Sequence, residues 1–170
     1  LHFMYGLFHS PTYRRRYALE LVIDFPRVLL PQSFELFREL ARLGASLAGS
    51  HLMHLSRGDA NSFQNVGDED PSVAPGYPKF RLGRIYLNPH AYVEGVGEMA
   101  GEFRVGSHQV LRKWLKDRRC RRLSQLDVDD YLTMIAAVQR TLSTMSQIDH
   151  VIERFGGFAG AFKPHSKLQR

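Results

Sequence analysis

The sequence predicts an α+β fold: a helical bundle, made of two N-terminal helices and a long C-terminal helix, beside a small antiparallel sheet. Three observations carry this expectation. Apolar residues recur three and four apart in two long stretches, near 34–51 and 128–145. Between those stretches, short runs alternate with period two and are broken by glycines, as strands joined by tight turns would be. Hydroxyl residues or aspartates also stand where the period changes, where helix caps are expected. With 170 residues, 44% of them hydrophobic, the chain can bury one substantial core.

The elements follow in order. Ser10 then Pro11 is a helix start, a capping hydroxyl followed by a ring that needs no N–H at the first helical position, and it opens a helix over about 11–22. Val22 to Pro31, punctuated by Pro26 and Pro31, reads as an extended connector. Ser33 caps a second helix, with Phe34, Phe37, Leu40, Ala41, Gly44, Leu47, Ala48 and His51 on one stripe, running to about His54. Residues 57–78 are rich in Gly, Pro, Asp, Ser and Asn without periodicity, and are expected to form a mobile loop. In KFRLGRIYLN, Gly83 interrupts the alternation, as in a tight hairpin or a bulged strand. Tyr92 to Val96 and Glu102 to Val105 read as further short strands. Gly106 and Ser107 mark the switch to a helix over about 107–118, with Val110, Leu111, Trp114 and Leu115 on its apolar face. Ser124 or Asp127 then begins a long helix whose seam is Val128, Tyr131, Ile135, Val138, Leu142 and Met145. Its pattern slips near Asp149 and ends at Gly156-Gly157. The organisation expected is one domain overall: a helical connector over 1–56, the flexible loop 57–78, sheet, basic helix and closing helix over 79–155, and a disordered tail over 156–170. Residues 1–8 read as the interior of a structured region, so the chain is expected to be a fragment of a larger enzyme.

A formal excess of +6 becomes informative once it is located. Residues 112–122, RKWLKDRRCRR, hold seven basic side chains against Asp117 and account for the whole excess. Such a cluster creates a local positive potential that attracts polyanions. A basic helix end complementing the helix dipole is the alternative. Arg14, Arg15 and Arg16 form a second basic spot, read equally as a solvated helix face.

Catalytic constellations are missing. The sequence holds no GxGxxG, GxxxxGK[ST], HExxH or [DNS]PP[YFW]. His51 and His54 stand three apart without carboxylates or cysteines at ligand spacing, so they are read as surface or partly packed residues. Asp127, Asp129 and Asp130 fall in the first turn of a helix, where acidic side chains are favoured. The single cysteine, Cys120, excludes an internal disulfide and suits a reducing, cytoplasmic setting. No window approaches eighteen apolar residues, and no membrane partner is expected. The functional expectation therefore rests on Glu102 to Arg122. A helix start carrying Ser107, His108 and Gln109 offers N–H groups and short polar side chains to a phosphate or base edge. Gln109 is suited to adenine and Arg104 to guanine. The competing reading is that Ser107 caps while His108 and Gln109 bond the local backbone. Trp114, on the apolar face, is read as a packing residue. The candidate DNA-binding set is Arg104, Ser107, His108, Gln109, Arg112, Lys113, Lys116, Arg118, Arg119, Arg121 and Arg122, with no catalytic and no metal-binding residue.

The stretches LFHSPTYRRRYALELVIDFPRVLLP, ELFRELARLGASL, GRIYLNPHAYVEGV and EFRVGSHQVLRKWLKDRRCRRLS resemble the C-terminal specificity domain of type ISP restriction-modification enzymes. Related adenine-specific DNA methyltransferases are similar. The resemblance covers most of residues 3–150 in the family's order, and 57–78 has no counterpart in it. It implies a bacterial target-recognition domain, not catalytic by itself, that grips double-stranded DNA beside the N6-adenine methyltransferase domain of the same polypeptide. S-adenosylmethionine is then expected on the methyltransferase part, and no cofactor on this chain. The alternatives are a helical module docking on the methyltransferase core and a free-standing nucleic-acid-binding protein.

Overall fold

A computed structural model describes residues 1–54, 63–65 and 71–163. The chain divides into two compact units, 1–52 with 143–170 and 53–142, where the sequence suggested one domain. Each has its own core.

The first unit is helical. Helix α1 (His2–His9) is followed by α2 (Pro11–Arg16), α3 (Glu20–Ile23) and α4 (Phe34–His51). Ser10 caps α2 as its sequence suggests, its hydroxyl accepting the Tyr13 amide at 3.0 Å with Pro11 in the first turn. The expected helix over 11–22 is two short pieces, because the chain turns at Tyr17, whose ring lies 4.8 Å from that of Tyr13. Ser33 caps α4 through the Leu36 amide at 3.1 Å. Leu36, Leu40, Leu43 and Leu47 are buried along one stripe of α4, and α1 lies across it. That crossing is close because two glycines meet there: a Cβ on Gly6 would stand 2.8 Å from the Leu40 carbonyl oxygen, and one on Gly44 would fall on the His2 carbonyl oxygen. Ile148, Val151 and Ile152 complete the same core.

The slip in periodicity at Asp149 does not break the last long helix, α7 (Gln125–Arg154). Its carboxylate faces inward to cap α2, accepting the Ser10 hydroxyl, the Thr12 hydroxyl at 2.6 Å and the Thr12 amide at 3.0 Å. A polar residue therefore occupies a packing position because it satisfies another helix's orphan N–H groups. The tail expected to be disordered continues as helix α8 (Gly157–Ala161), and Ala161 and Phe162 are buried. Gln32 and Lys163 donate backbone hydrogen bonds to Ala161 and Leu30, which ties the tail to the connector before α4. The aromatic and small residues 155–162 fill the core in a segment too short for a period to show. Residues 164–170 of that expected tail lie outside the described ones.

The second unit is built on a four-stranded antiparallel sheet of β1 (Phe63–Asn65), β2 (Lys79–Arg81), β3 (Arg84–Tyr86) and β4 (Ala91–Val93), in the order β1-β4-β3-β2. Some of the expected loop 57–78 is thus ordered. Phe63–Asn65 pairs with β4, Val73 is fully buried, and the Leu123 amide bonds the Pro71 carbonyl at 2.8 Å. Polar composition hid this, because the segment is pinned by backbone pairing and one valine rather than by a repeating pattern. Residues 57–62 and 66–70 lie outside the described ones. Asn88 closes the β3–β4 turn, its side-chain oxygen accepting the His90 and Ala91 amides at 2.8 and 2.7 Å. Ile85, Leu87, Ala91, Val93, Leu111, Leu115, Tyr131 and Ile135 are buried together.

Gly44→Ala is expected to cost roughly 3 kcal/mol or more, since the clash is with backbone that cannot rotate away. Urea unfolding of this variant beside Gly49→Ala, whose Cβ meets nothing within 4 Å, checks that.

Candidate nucleic-acid interface

Two hairpins and one short helix position the basic side chains. The β2–β3 hairpin turns through Leu82 and Gly83, with φ of 49° and 72°. After α5 (Glu98–Gly101), a second hairpin, β5 (Arg104–Val105) with β6 (His108–Gln109), turns at Gly106, φ 58°. Only then does α6 (Val110–Lys116) begin. The expected helix over 107–118 is therefore shorter at its start, and Ser107, His108 and Gln109 are not its first turn. Gly106 supplies the left-handed residue that reverses the chain, and the Val110 amide bonds the Phe103 carbonyl at 3.1 Å to close the hairpin. Ser107 does not cap the helix; Gln109 occupies the cap position without a capping side-chain bond.

The predicted side chains fall into two groups. In the first, Arg104 donates to the Ser107 carbonyl at 3.1 Å. Gln109 is held at both ends of its amide, donating to Glu102 at 2.8 Å and accepting from Arg112 at 3.4 Å. Lys79, Phe80, Glu102, Gln109 and Arg112 line a common recess of about 20 Å³. That space suits about one water and is too small to enclose a base. The Phe80 ring seals its floor against Gly101, where a Cβ would come within 2.8 Å. His108 and Ser107 are exposed at the hairpin turn, and Lys116 is exposed without an ion-pair partner among the described residues.

The second group is the basic loop after α6, and there much of the charge is used internally. Arg119 donates twice to the Tyr77 carbonyl, at 2.9 and 2.5 Å, and residues 72 and 73 form bridges with 122 and 119. Arg118 stacks 3.6 Å over the Trp114 ring, donates to the Trp114 carbonyl, and lies 3.5 Å from Asp127. Trp114 in turn stacks on Tyr131, whose buried hydroxyl donates to the Leu111 carbonyl. The packing reading of Trp114 fits these contacts. Arg121 reaches the same Asp127 oxygen at 2.7 Å, and Lys113 pairs with Asp117. Asp127 also accepts the Ser124 amide at 2.9 Å and the Ser124 hydroxyl at 2.8 Å, while its own amide donates to that hydroxyl at 3.2 Å. This reciprocal cap starts α7, as the hydroxyl and carboxylate three apart imply.

The sequence suggested a tight hairpin or bulged strand here and placed the sheet loops among the segments that would reach bases, but it named none of the cations on the β2–β3 hairpin as a candidate site residue. Lys79, Arg81 and Arg84 lie on it, and Arg81 stands opposite Arg84 in register. The available signal was Leu-Gly between two arginines, in a position where Asn-Gly or Asp-Gly is usual. Elsewhere, His51 bonds the Tyr5 hydroxyl at 2.6 Å through Nδ1 and packs near His9, a contact across the sequence that spacing to His54 did not suggest. Among the described residues no group of three or more His, Cys, Asp or Glu is placed to hold a metal ion, and no helix is long and apolar enough to cross a membrane.

The Asp127 carboxyl is held down to about 2 from 3.8, first by the Ser124 amide, then by the Ser124 hydroxyl, with Arg121 adding to both. A carboxyl with a lower pKa folded than unfolded stabilises above its unfolded value, so this contribution is lost as pH falls from about 3.8 toward about 2. Asp127→Asn is expected to cost about 1 kcal/mol at neutral pH and to flatten the acid limb of stability. Thermal unfolding of both proteins from pH 6 down to pH 2 measures this.

The family model for the Type ISP C-terminal specificity domain matches residues 1–147. No curated protein matches the chain. Among solved structures, the chain is similar to a nuclease-deletion mutant of the Type ISP restriction-modification enzyme LlaGI in complex with a DNA substrate mimic, at 20% identity and a TM-score of 0.66. It is also similar to the ATP-dependent Type ISP enzyme LlaBIII bound to DNA (19%, 0.67) and to a DrdV-DNA complex (16%, 0.62). Each similarity covers 86% of this chain but only 13%, 11% and 17% of those chains, so what is shared is the fold of a small portion of each.

Proposed function

The chain belongs to the Type ISP C-terminal specificity domain family, and from that premise we propose that it is the target-recognition domain of a restriction-modification enzyme, binding double-stranded DNA without catalysing a step itself. The observation that carries the reading is the face on which Lys79, Gln109 and Arg112 converge around one shallow recess. It offers cations to phosphates and one amide, already oriented by Glu102 and Arg112, to an adenine edge. Base contact requires Gln109 to exchange its internal partners for the base, which spares the ordering of a loose side chain.

Within this reading, Arg104, Ser107, His108, Gln109, Arg112, Lys113 and Lys116 form the contact set; Arg104, Arg112 and Lys116 have no ion-pair partner among the described residues, while Lys113 exchanges Asp117 for a phosphate. Arg118, Arg119, Arg121 and Arg122 shape the loop and add potential at longer range. The wider polypeptide supplies the N6-adenine methyltransferase and its S-adenosylmethionine, and the cytoplasm is its setting.

A second role is favoured by a separate observation. In the first unit, Leu19, Val22, Ile23 and Phe25 are each at least 80% exposed within seven residues of chain. Such a run suits packing against the methyltransferase region of the same polypeptide. It is compatible with DNA recognition by the second unit.

The test is binding of the purified chain to random-sequence duplex DNA across a salt series. Steep loss of affinity with rising salt is expected. Arg112→Ala and Lys116→Ala should each reduce the slope of log K against log salt by about 1, with unfolding unchanged. Absence of binding at low salt overturns the DNA reading and leaves the docking role.

A further inference from the structure

The geometry points to Leu82 as an apolar wedge that enters the base stack of duplex DNA, steered there by the arginines on either side of it. This rests on the DNA-recognition reading and adds to it a mode of contact, deformation of a base step.

Leu82 occupies the first position of a two-residue turn in which both residues have positive φ. That turn favours Asn, Asp or Gly at its first position, whereas a leucine there costs about 1–2 kcal/mol. Among the described residues no packing contact offsets the cost, because Leu82 is 99% exposed. A second adverse feature sits at the same tip: Arg81 and Arg84 are directly opposed across the strands, and like charges so placed repel. Arg84 leans over the Tyr92 ring at 4.7 Å and reaches Glu94 at 3.4 Å, while Arg81 has no ion-pair partner among the described residues. Lys79 adds a third cation on the same strand as Arg81. An exposed apolar side chain is ordinary by itself. One held in the left-handed region between cations is a combination that a polyanion with an apolar interior relieves, since phosphates neutralise the arginines and the stacked bases bury the leucine.

The tip is also stiff. Its Gly83 carbonyl accepts the Val96 amide at 2.9 Å, Ile85 is buried beneath the hairpin, and Phe80 is wedged against Gly101. A projection that pries adjacent base pairs apart must not fold back under load, and this one is fastened on both strands. Partial unstacking by an inserted Leu, Ile, Phe or Met kinks the duplex and costs least at weakly stacked or mismatched steps.

The test uses the whole chain, a matched duplex and the same duplex carrying one central T·T mismatch. Wild type is expected to bind the mismatched duplex about tenfold more tightly. Leu82→Asn, which suits the turn, should abolish that preference without lowering Tm or changing the salt slope, and Leu82→Met should retain it. Arg81→Gln should keep the preference while lowering the salt slope by about 1. If Leu82→Asn prefers the mismatch as wild type does, the wedge is wrong and DNA recognition stands. If wild type binds neither duplex in a salt-dependent way, the recognition reading fails and the wedge with it.

Discussion

The carboxylate of Asp127 is the group on which the arrangement of the second unit's basic segment depends. It caps α7 through Ser124, binds Arg121 and lies against Arg118. Arg118 in turn covers Trp114, which covers Tyr131 in the core. One ionised oxygen pair thus links the start of the long helix to the loop between α6 and α7 and to the packing beneath both. Because its hydrogen bonds stabilise the charged form, this link persists at neutral pH at little cost in desolvation.

That arrangement changes how the cluster of seven basic residues is to be understood. Formal charge counts every side chain equally, but a guanidinium bound to a carbonyl or a carboxylate has spent some of its hydrogen-bonding capacity. Arg118, Arg119 and Arg121 have done so, whereas Arg112 and Lys116 on α6 have not to the same degree. Long-range potential survives such pairing, while close phosphate contact requires the pairs to be exchanged. The centre of the candidate interface accordingly moves from the loop at 118–122 toward α6 and the two hairpins.

The fold class was legible because it rests on strong local signals: the leucine stripe of α4, Ser10 with Pro11, Ser33, and Ser124 with Asp127 are each caps or periods confined to a few residues. Three features were not. The hairpin at Arg104–Gln109 was hidden because Ser107 imitates a helix cap; its two short strands are decided by Gly106, a one-residue signal. The order at 71–73 and 157–162 comes from backbone bonds to partners distant in sequence, Leu123 and Gln32 among them. Joining Lys79 to Gln109 and Arg112 likewise requires the tertiary path, since nothing in a local window relates residues so far apart along the chain.

Exposed apolar residues occur in two forms here, and physics separates their meaning. Leu19, Val22, Ile23 and Phe25 are close neighbours without nearby left-handed backbone, so their exposure costs mainly hydration and is relieved by any broad apolar cover. Leu82 instead projects from strained backbone, between cations. A broad protein surface would bury it only by also desolvating Arg81, which has no ion-pair partner among the described residues, together with the Arg84–Glu94 pair, which is costly unless further acidic groups are supplied. A duplex supplies phosphates at its rim and apolar faces within the stack, at a spacing one side chain can bridge. The same chemical property, an apolar group in water, therefore points to a polypeptide partner at one site and to nucleic acid at the other, because the surrounding charges differ.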